Sequence, residues 1–530
     1  MGGAGEPLQS RPARRSLFIW IGGISLFIAV VLAALIAFEM HYAEPILRAR
    51  VIETLSARFQ SRVTLAAFHV SVGRELEVSG NGLNIFGKTD LNIHEPGIQP
   101  LLSIQEFRFH AGFFNFLHTP MRVHMVYLKG LQLNIPPKEQ VQDSKTMRTE
   151  MGKAKIYVDQ FVCEQAQLVI NTLQPDKLPL QFDIGSLIMK DLGPDKPFRF
   201  DANLLNPKPV GDIHSTGLFG PWRADAPRDM PVQGTYSFTN ADLSSINGIG
   251  GILSSTGNYQ GALGRIIVDG ETDTPDFRVS VSGHPVPLHT DFHAIVDGTS
   301  GDTYLQPIRA KILNSSLIAT GYAERVKAPD GHRVYLELKI EDSKIEDLLR
   351  MAIRTEPPVM TGHMRLSTIF DLRPGTAAVP DRLRLAGNFE ISKAHFTNDK
   401  IQAKVNELSM RGQGKPKQAK MDLPEDIPSI MKGKFRLDAG TFWFSQLQFF
   451  VPGTEVDLTG NYSLDGELFD FHGRARMDAK LSQMVGGWKS IFLKPVDPFF
   501  SKDGAGTEVP VKVIGTKSAP QFGLDFRHKK

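Results

Sequence analysis

The segment LFDFHGRARMDA, residues 468–479, alternates without a slip. Phe469, Phe471, Gly473, Ala475, Met477 and Ala479 take one parity, and Asp470, His472, Arg474, Arg476 and Asp478 take the other. A strand puts successive side chains on opposite faces, whereas a helix of about 3.6 residues per turn would scatter both sets around its circumference. This run is therefore a strand with one oily face and one wet face. Shifting its register by one residue would exchange the two faces.

The same period governs the chain on either side. Val334, Leu336, Leu338 and Ile340 oppose Arg333, Tyr335, Glu337, Lys339 and Glu341, and Phe277, Val279 and Val281 oppose Arg278, Ser280 and Ser282. Nearer the start, Phe107 and Phe109 alternate with Arg108 and His110, and Leu131, Leu133 and Ile135 with Gln132 and Asn134. Turn signals recur at 206–209, 247–251 and 297–301. A chain with 48 Gly, 34 Pro and 34 Phe but 4 Trp fits a mainly β, turn-rich fold with a long, predominantly antiparallel sheet.

Two amphipathic helices interrupt the strands. Ser343 and Glu346 predict a capping box before the stripe Ile345, Leu348, Leu349, Ala352 and Ile353, which Pro357 and Pro358 end. Met484, Val485, Trp488 and Phe492 predict another over 482–493. Residues 411–428 read as a basic loop. Two motifs echo: Thr256-Gly257-Asn258-Tyr259 returns as Thr459-Gly460-Asn461-Tyr462, and the frame Gly270, Pro275, Phe277 returns as Gly515, Pro520, Phe522. Each echo is expected at a turn, in a sheet built by duplication of a strand-turn unit.

The start of the chain is different in kind. LFIWIGGISLFIAVVLAALIAF, residues 17–38, has no charged side chain and as a helix reaches about 33 Å, enough for a bilayer core of about 30 Å. Leu17, Phe18, Ile19, Trp20, Phe27, Leu32, Leu35 and Phe38 would form this anchor. The following residues Glu39 to Ala43 lack a small-x-small cleavage site, so the anchor is expected to stay. Arg11, Arg14 and Arg15 put the head, residues 1–16, in the cytoplasm and the bulk of the chain outside it. Residues 39–61 follow as an amphipathic helix with Leu47, Val51, Leu55 and Phe59, lying on the membrane or closing the near end of the sheet. Strands occupy 62–137, a charged linker 138–155, and further strands 156–530.

Composition excludes several functions. The net charge of +3 comes from 60 basic and 57 acidic side chains that are interspersed, so there is no nucleic-acid footprint. The single cysteine, Cys163, permits neither an intrachain disulfide nor a Cys-based zinc site, and reads as a buried thiol. No nucleophile elbow, His-Glu-x-x-His or Walker loop occurs, and Leu253 takes the last glycine's place in the turn at 247–251. His289, Asp291 and His293 share one face of a strand and are a chemically reasonable metal set. With Leu288, Phe292, Ala294 and Val296 on the other face, they read instead as the wet side of a sheet. No catalytic residue, cofactor or metal is expected.

The order of segments resembles the AsmA-like proteins of diderm bacteria. The resemblance rests on the anchor, RVTLAAFHVSV at 62–72 and the stretch 232–303. It is most specific over FEISKAHFTNDKIQAKVNELSMRGQG at 389–414 and over 451–526. It implies a twisted sheet bent into an open groove, oily inside and polar outside, in an inner-membrane protein with its bulk in the periplasm. About thirty strands at about 4.8 Å would reach at most about 140 Å. It further implies movement of phospholipid toward the outer membrane without catalysis, with outer-membrane or envelope assembly proteins as further partners. Val334, Leu336, Leu338, Phe469, Phe471 and Met477 would then face acyl chains. The competing readings are a scaffold for outer-membrane protein assembly that carries no lipid and, third, an envelope enzyme.

Overall fold

The computed structural model describes residues 45–46, 48–53, 55–56, 61–72, 76–86, 100–112, 121–135, 156–170, 180–193, 195–207, 209–221, 226–279, 284–326, 331–416, 427–464, 468–484, 506–516 and 519–525. Its strands begin with β1 Val63–Thr64, β2 Ala67–Val72, β3 Leu76–Ile85, β4 Leu102–Ala111, β5 Met121–Lys129, β6 Gln132–Ile135, β7 Ile156–Ile170 and β8 Leu180–Leu192. Next come β9 Phe198–Pro207, β10 Val210–Phe219, β11 Pro231–Asp242, β12 Ile249–Gly250, β13 Ile252–Ala262, β14 Arg265–Val279, β15 Val286–Val296, β16 Thr303–Ile312 and β17 Ser315–Val326. The last are β18 Gly331–Lys344, β19 Met360–Leu372, β20 Leu383–Phe396, β21 Ile430–Asp438, β22 Thr441–Val451, β23 Thr454–Ser463, β24 Leu468–Met477, β25 Thr507–Thr516 and β26 Ala519–Leu524.

These strands form one long mixed sheet in which almost every strand pairs with its neighbour in sequence, antiparallel. The exception is β7, which runs parallel to β5 and β6. β5 and β6 are in effect one strand broken at Gly130, whose φ is +64°. β1 and β2 both lie against β3, and β12 adds a short pairing to the far end of β14. Bulges bend the ladder without breaking it. In β16, Leu305 and Ile308 pair with Gly321 and Ala319, so Gln306 and Pro307 together oppose Thr320, one residue more than the partner strand has. Proline, which has no N–H for the ladder, is tolerated at such a point.

Among the described residues, four α-helices follow β18: α1 Ile345–Ala352, α2 Val379–Arg382, α3 Asp399–Gly412 and α4 Leu481–Met484. α1 forms where its stripe predicts, but its expected capping box does not. The N-cap position is Lys344, with no side-chain cap. Ser343 Oγ instead donates to Ser316 O at 2.9 Å, and Glu346 accepts from the Gly362 N–H at 3.2 Å. Neighbouring strands thus take both side chains. α1 covers a small core of Ile340, Ile345, Met360, Met364, Ile391 and Ala394.

Where the alternation predicts strand up to 410 and a basic loop from 411, the structure has the helix α3 instead. Asn398 Oδ1 accepts from the N–H groups of Lys400 and Ile401, which caps the helix. Its most buried side chains are polar, Gln402, Asn406 and Ser409, beside a short half-buried stripe of Ile401, Val405 and Leu408 at helical spacing. Gln402 donates to Asn406 at 2.9 Å, and Ser409 Oγ donates to Pro452 O at 2.8 Å at the β22–β23 turn. The remainder of the helix expected over 482–493 lies outside the described residues, beyond α4.

At the first end, the described residues of 45–56 are helical. Val51 and Ile52 pack on a core of Leu65, Phe68, Ile104, Phe107, Val126 and Cys163, while Arg48 Nε donates to Leu65 O at 3.0 Å. This segment covers that core. The apolar run 17–38 and the linker 138–155 lie outside the described residues. Among the described residues no helix is long and apolar enough to cross a membrane.

Candidate functional site: a continuous apolar face

Residues directly opposite each other on paired strands share a face, so the registers can be followed from strand to strand across the whole sheet. Starting on β2, one row runs Val70, Val78, Phe109, Val126, Phe161, Met189 and Phe200. It continues through Gly217, Gly234, Tyr259, Val268, Ala294, Leu305 and Gly321. It ends with Leu336, Phe370, Leu385, Leu437, Phe442, Tyr462, Phe469, Gly515 and Pro520. The row crosses every strand except the short β1, β6 and β12, and contains no charged residue. Every member is buried or half-buried.

A second row, two residues along each strand, repeats the pattern. It holds Phe68, Gly80, Phe107, Leu128, Cys163, Leu187 and Ala202 in its first part. Its middle holds Ser215, Tyr236, Gly257, Gly270, Phe292, Ile308 and Ala319. Its last part holds Leu338, Thr368, Gly387, Phe435, Phe444, Gly460, Phe471, Val513 and Phe522. From β18 onward a third row adds Ile340, Leu366, Phe389, Gly433, Leu447, Leu458, Gly473, Val511 and Leu524.

The structure therefore puts Leu336 and Phe469 in one row and Leu338 and Phe471 in the next. Val334 lies on the same face two residues from Leu336, and Met477 on the same face four residues from Gly473. Phe471 is 6% exposed and packs against Phe444 at 5.6 Å between ring centroids, while Tyr462 stacks on Phe469 at 4.9 Å. Aromatic rings here lie over glycines. A Cβ on Gly80 would meet the Phe107 ring, and one on Gly270 would lie 2.6 Å from Tyr236 Oη. The TGNY echo belongs to this arrangement and not to turns: Gly257 and Gly460 fall in the second row, Tyr259 and Tyr462 in the first.

Most polar atoms on the oily face are satisfied within it, the buried Thr274 Oγ1 being the exception among the described residues. Tyr259 Oη lies 2.6 Å from Ser215 Oγ, Tyr236 Oη 3.0 Å from Ser255 Oγ, and Thr368 Oγ1 donates to Ala386 O at 3.2 Å. Burial pushes both tyrosine hydroxyls up from their ordinary pKa. Cys163 fills a gap between Leu128 and Leu187, and burial pushes its thiol up to about 11, which makes it a poor nucleophile.

The opposite face is built from ion pairs. Arg474 meets Glu508 at 3.0 Å, Arg476 meets Asp457 and Glu508 at 3.2 Å, and Arg333 meets Asp371 at 3.0 Å. An open hollow of about 710 Å³ between β18 and β22 is lined by Lys339, Arg365, Glu390 and Lys432 among others. Glu390 already pairs with Lys432 at 3.0 Å and with Arg365 at 3.8 Å, so the hollow singles out no ligand. His289, Asp291 and His293 are on this face too, and the two imidazoles do not converge. His289 Nδ1 lies 2.7 Å from Asp273, and His293 Nδ1 lies 2.7 Å from Asp269.

His472 sits between Asp525 at 2.6 Å and Asp470 at 3.0 Å, and the hydrogen bond with Asp525 is the main cause of its raised pKa. A histidine whose folded pKa exceeds its unfolded value of about 6.5 stabilises fully below that value. The contribution is lost as pH rises through the folded pKa. Protection of the β24–β26 amides from hydrogen exchange, corrected for intrinsic rate, is therefore expected to be higher at pH 6 than at pH 8. In His472→Asn this difference shrinks; an unchanged difference would place its origin elsewhere.

No family model, no curated protein and no solved structure matches this chain.

Proposed function

We propose that the protein is a non-enzymatic, membrane-anchored conduit that shelters acyl chains and moves phospholipid from the inner toward the outer membrane. The single observation that carries this reading is the uncharged row from Val70 to Pro520. An apolar wall removes water from a hydrocarbon tail at about 0.8 kcal/mol per methylene, so a long tail gains on the order of 10 kcal/mol without any particular side chain. Continuity matters because one charge would interrupt that gain. With strands about 4.8 Å apart the row reaches on the order of 100 Å before twist shortens it.

In this reading the sheet curls along its length into a groove with the rows inside. The run 17–38 holds the chain in the inner membrane, with its head in the cytoplasm and the sheet in the periplasm. The resemblance to AsmA-like proteins supports the same function. A photo-reactive amino acid at Leu336, Phe370 or Val268 is expected to capture phospholipid in living cells, as read by mass spectrometry. At Glu337, on the other face, it captures none. Equal capture on both faces, or none anywhere, would remove the conduit and favour the scaffold for outer-membrane protein assembly.

A further inference from the structure

We propose that Glu271, His289 and Asp291 form a binding site for one divalent transition-metal ion of the zinc class on the polar face, independent of the lipid path. The register sets Asp269, Glu271 and Asp273 of β14 opposite His293, Asp291 and His289 of β15. The central pair brings two carboxylates directly opposite each other, a like-charge contact that a bound cation would relieve beyond what Arg309, opposite Asp291 on β16, supplies. One donor atom from each of Glu271, His289 and Asp291 lies within 4.8 Å of the other two.

The orientation of the imidazole is the second observation. His289 Nδ1 is 2.7 Å from Asp273 Oδ1, so Nδ1 carries the proton and donates it to that carboxylate. Nε2 lies 3.6 Å from Asp291 Oδ1 and, in the neutral imidazole, offers the lone pair that a metal takes. A carboxylate behind the far nitrogen of a ligating histidine is the usual support of a metal-bound imidazole, and here Asp273 is that support without being a ligand itself. Tetrahedral zinc with bonds of about 2.0–2.2 Å needs donors about 3.3 Å apart. Side chains on a solvent-facing strand reach that by small rotations. Three protein donors leave the fourth position for water.

The surroundings limit the site to these three. His293 is turned away to Asp269 at 2.7 Å. Thr256 Oγ1 donates to Glu271 Oε1 at 3.3 Å and steadies that carboxylate. Arg309 and Lys311 of β16, opposite Asp291 and His289, set the cationic rim that an incoming ion must pass.

The test is calorimetric titration of Zn²⁺ into full-length protein in detergent after chelator treatment. The expected result is saturable uptake of one ion per chain. Glu271→Gln and His289→Ala each lose it, Asp273→Asn weakens it about 10- to 100-fold, and His293→Ala leaves it unchanged. Co²⁺ in the same site gives a visible absorption band that disappears in the same variants. Far-UV circular dichroism matching the parent keeps the comparison valid, because these side chains lie on the wet face. Absence of saturable uptake by the parent would overturn the proposal. So would full uptake by Glu271→Gln, or equal losses in His289→Ala and His293→Ala.

Discussion

Aspartate in place of Leu336 is expected to divide the proposed lipid path. Photo-captured phospholipid persists at Val268, on the anchor side of the substitution, and falls at least about tenfold at Phe442 beyond it. Leu336 stands in the first row between Gly321 and Phe370 and is half-buried, so the variant keeps its strand pairing. A carboxylate there must either keep its water, which excludes the tail, or lose it at a cost of several kcal/mol. A difference of about 1.4 kcal/mol already gives the tenfold loss. Aspartate is the sharper choice because a long arginine could carry its charge away from the wall. Glu337→Lys, one residue along and on the other face, leaves capture at both positions unchanged. If Leu336→Asp passes lipid to Phe442 as the parent does, tails do not travel along this face.

The second large effect is on folding. Phe471→Asp removes a ring that is 6% exposed and held between Phe444 and Phe469, and it leaves a carboxylate among them. Truncating such a ring costs about 3–5 kcal/mol before the charge is counted. Amide hydrogen exchange in β23–β25 is expected to accelerate by at least about a thousandfold, which corresponds to about 4 kcal/mol of lost local stability. Leu468→Asp lies on the same strand but 51% exposed on the opposite face, and changes protection by less than about threefold. Equal losses in the two variants would contradict the face assignment.

Much of this was legible in the alternation itself. The parity of β18 and β24 identifies the oily side of each strand because a strand has only two sides. What alternation cannot supply is which residue of one strand meets which of the next. In β16 the parity changes at Gln306 and Pro307, so a reading by simple alternation puts either Leu305 or Ile308 on the wrong face; the bulge puts both on the same one. Glu271 escaped notice beside His289 for the same reason, since its partners come from a separate strand. α3 carries a short helical signal, the Asn398 cap before Ile401, Val405 and Leu408, but its most buried side chains are amides and a hydroxyl, which sequence patterns treat as surface. The capping box failed because Ser343 and Glu346 find partners in β17 and β19, and tertiary partners outrank local ones when the backbone end is already exposed to water.

The near-universal pairing of each strand with its sequence neighbours makes reach a quantity that comes in steps. A hairpin inserted at any antiparallel turn adds two strands, about 9.6 Å of sheet, and returns the chain to the side it left. Such an insertion preserves the course of every other strand, and it keeps the uncharged line intact if its two central residues are apolar and of the right parity. Under the proposed function, span can therefore be matched to the gap between two membranes by counting hairpins, without redesigning any core.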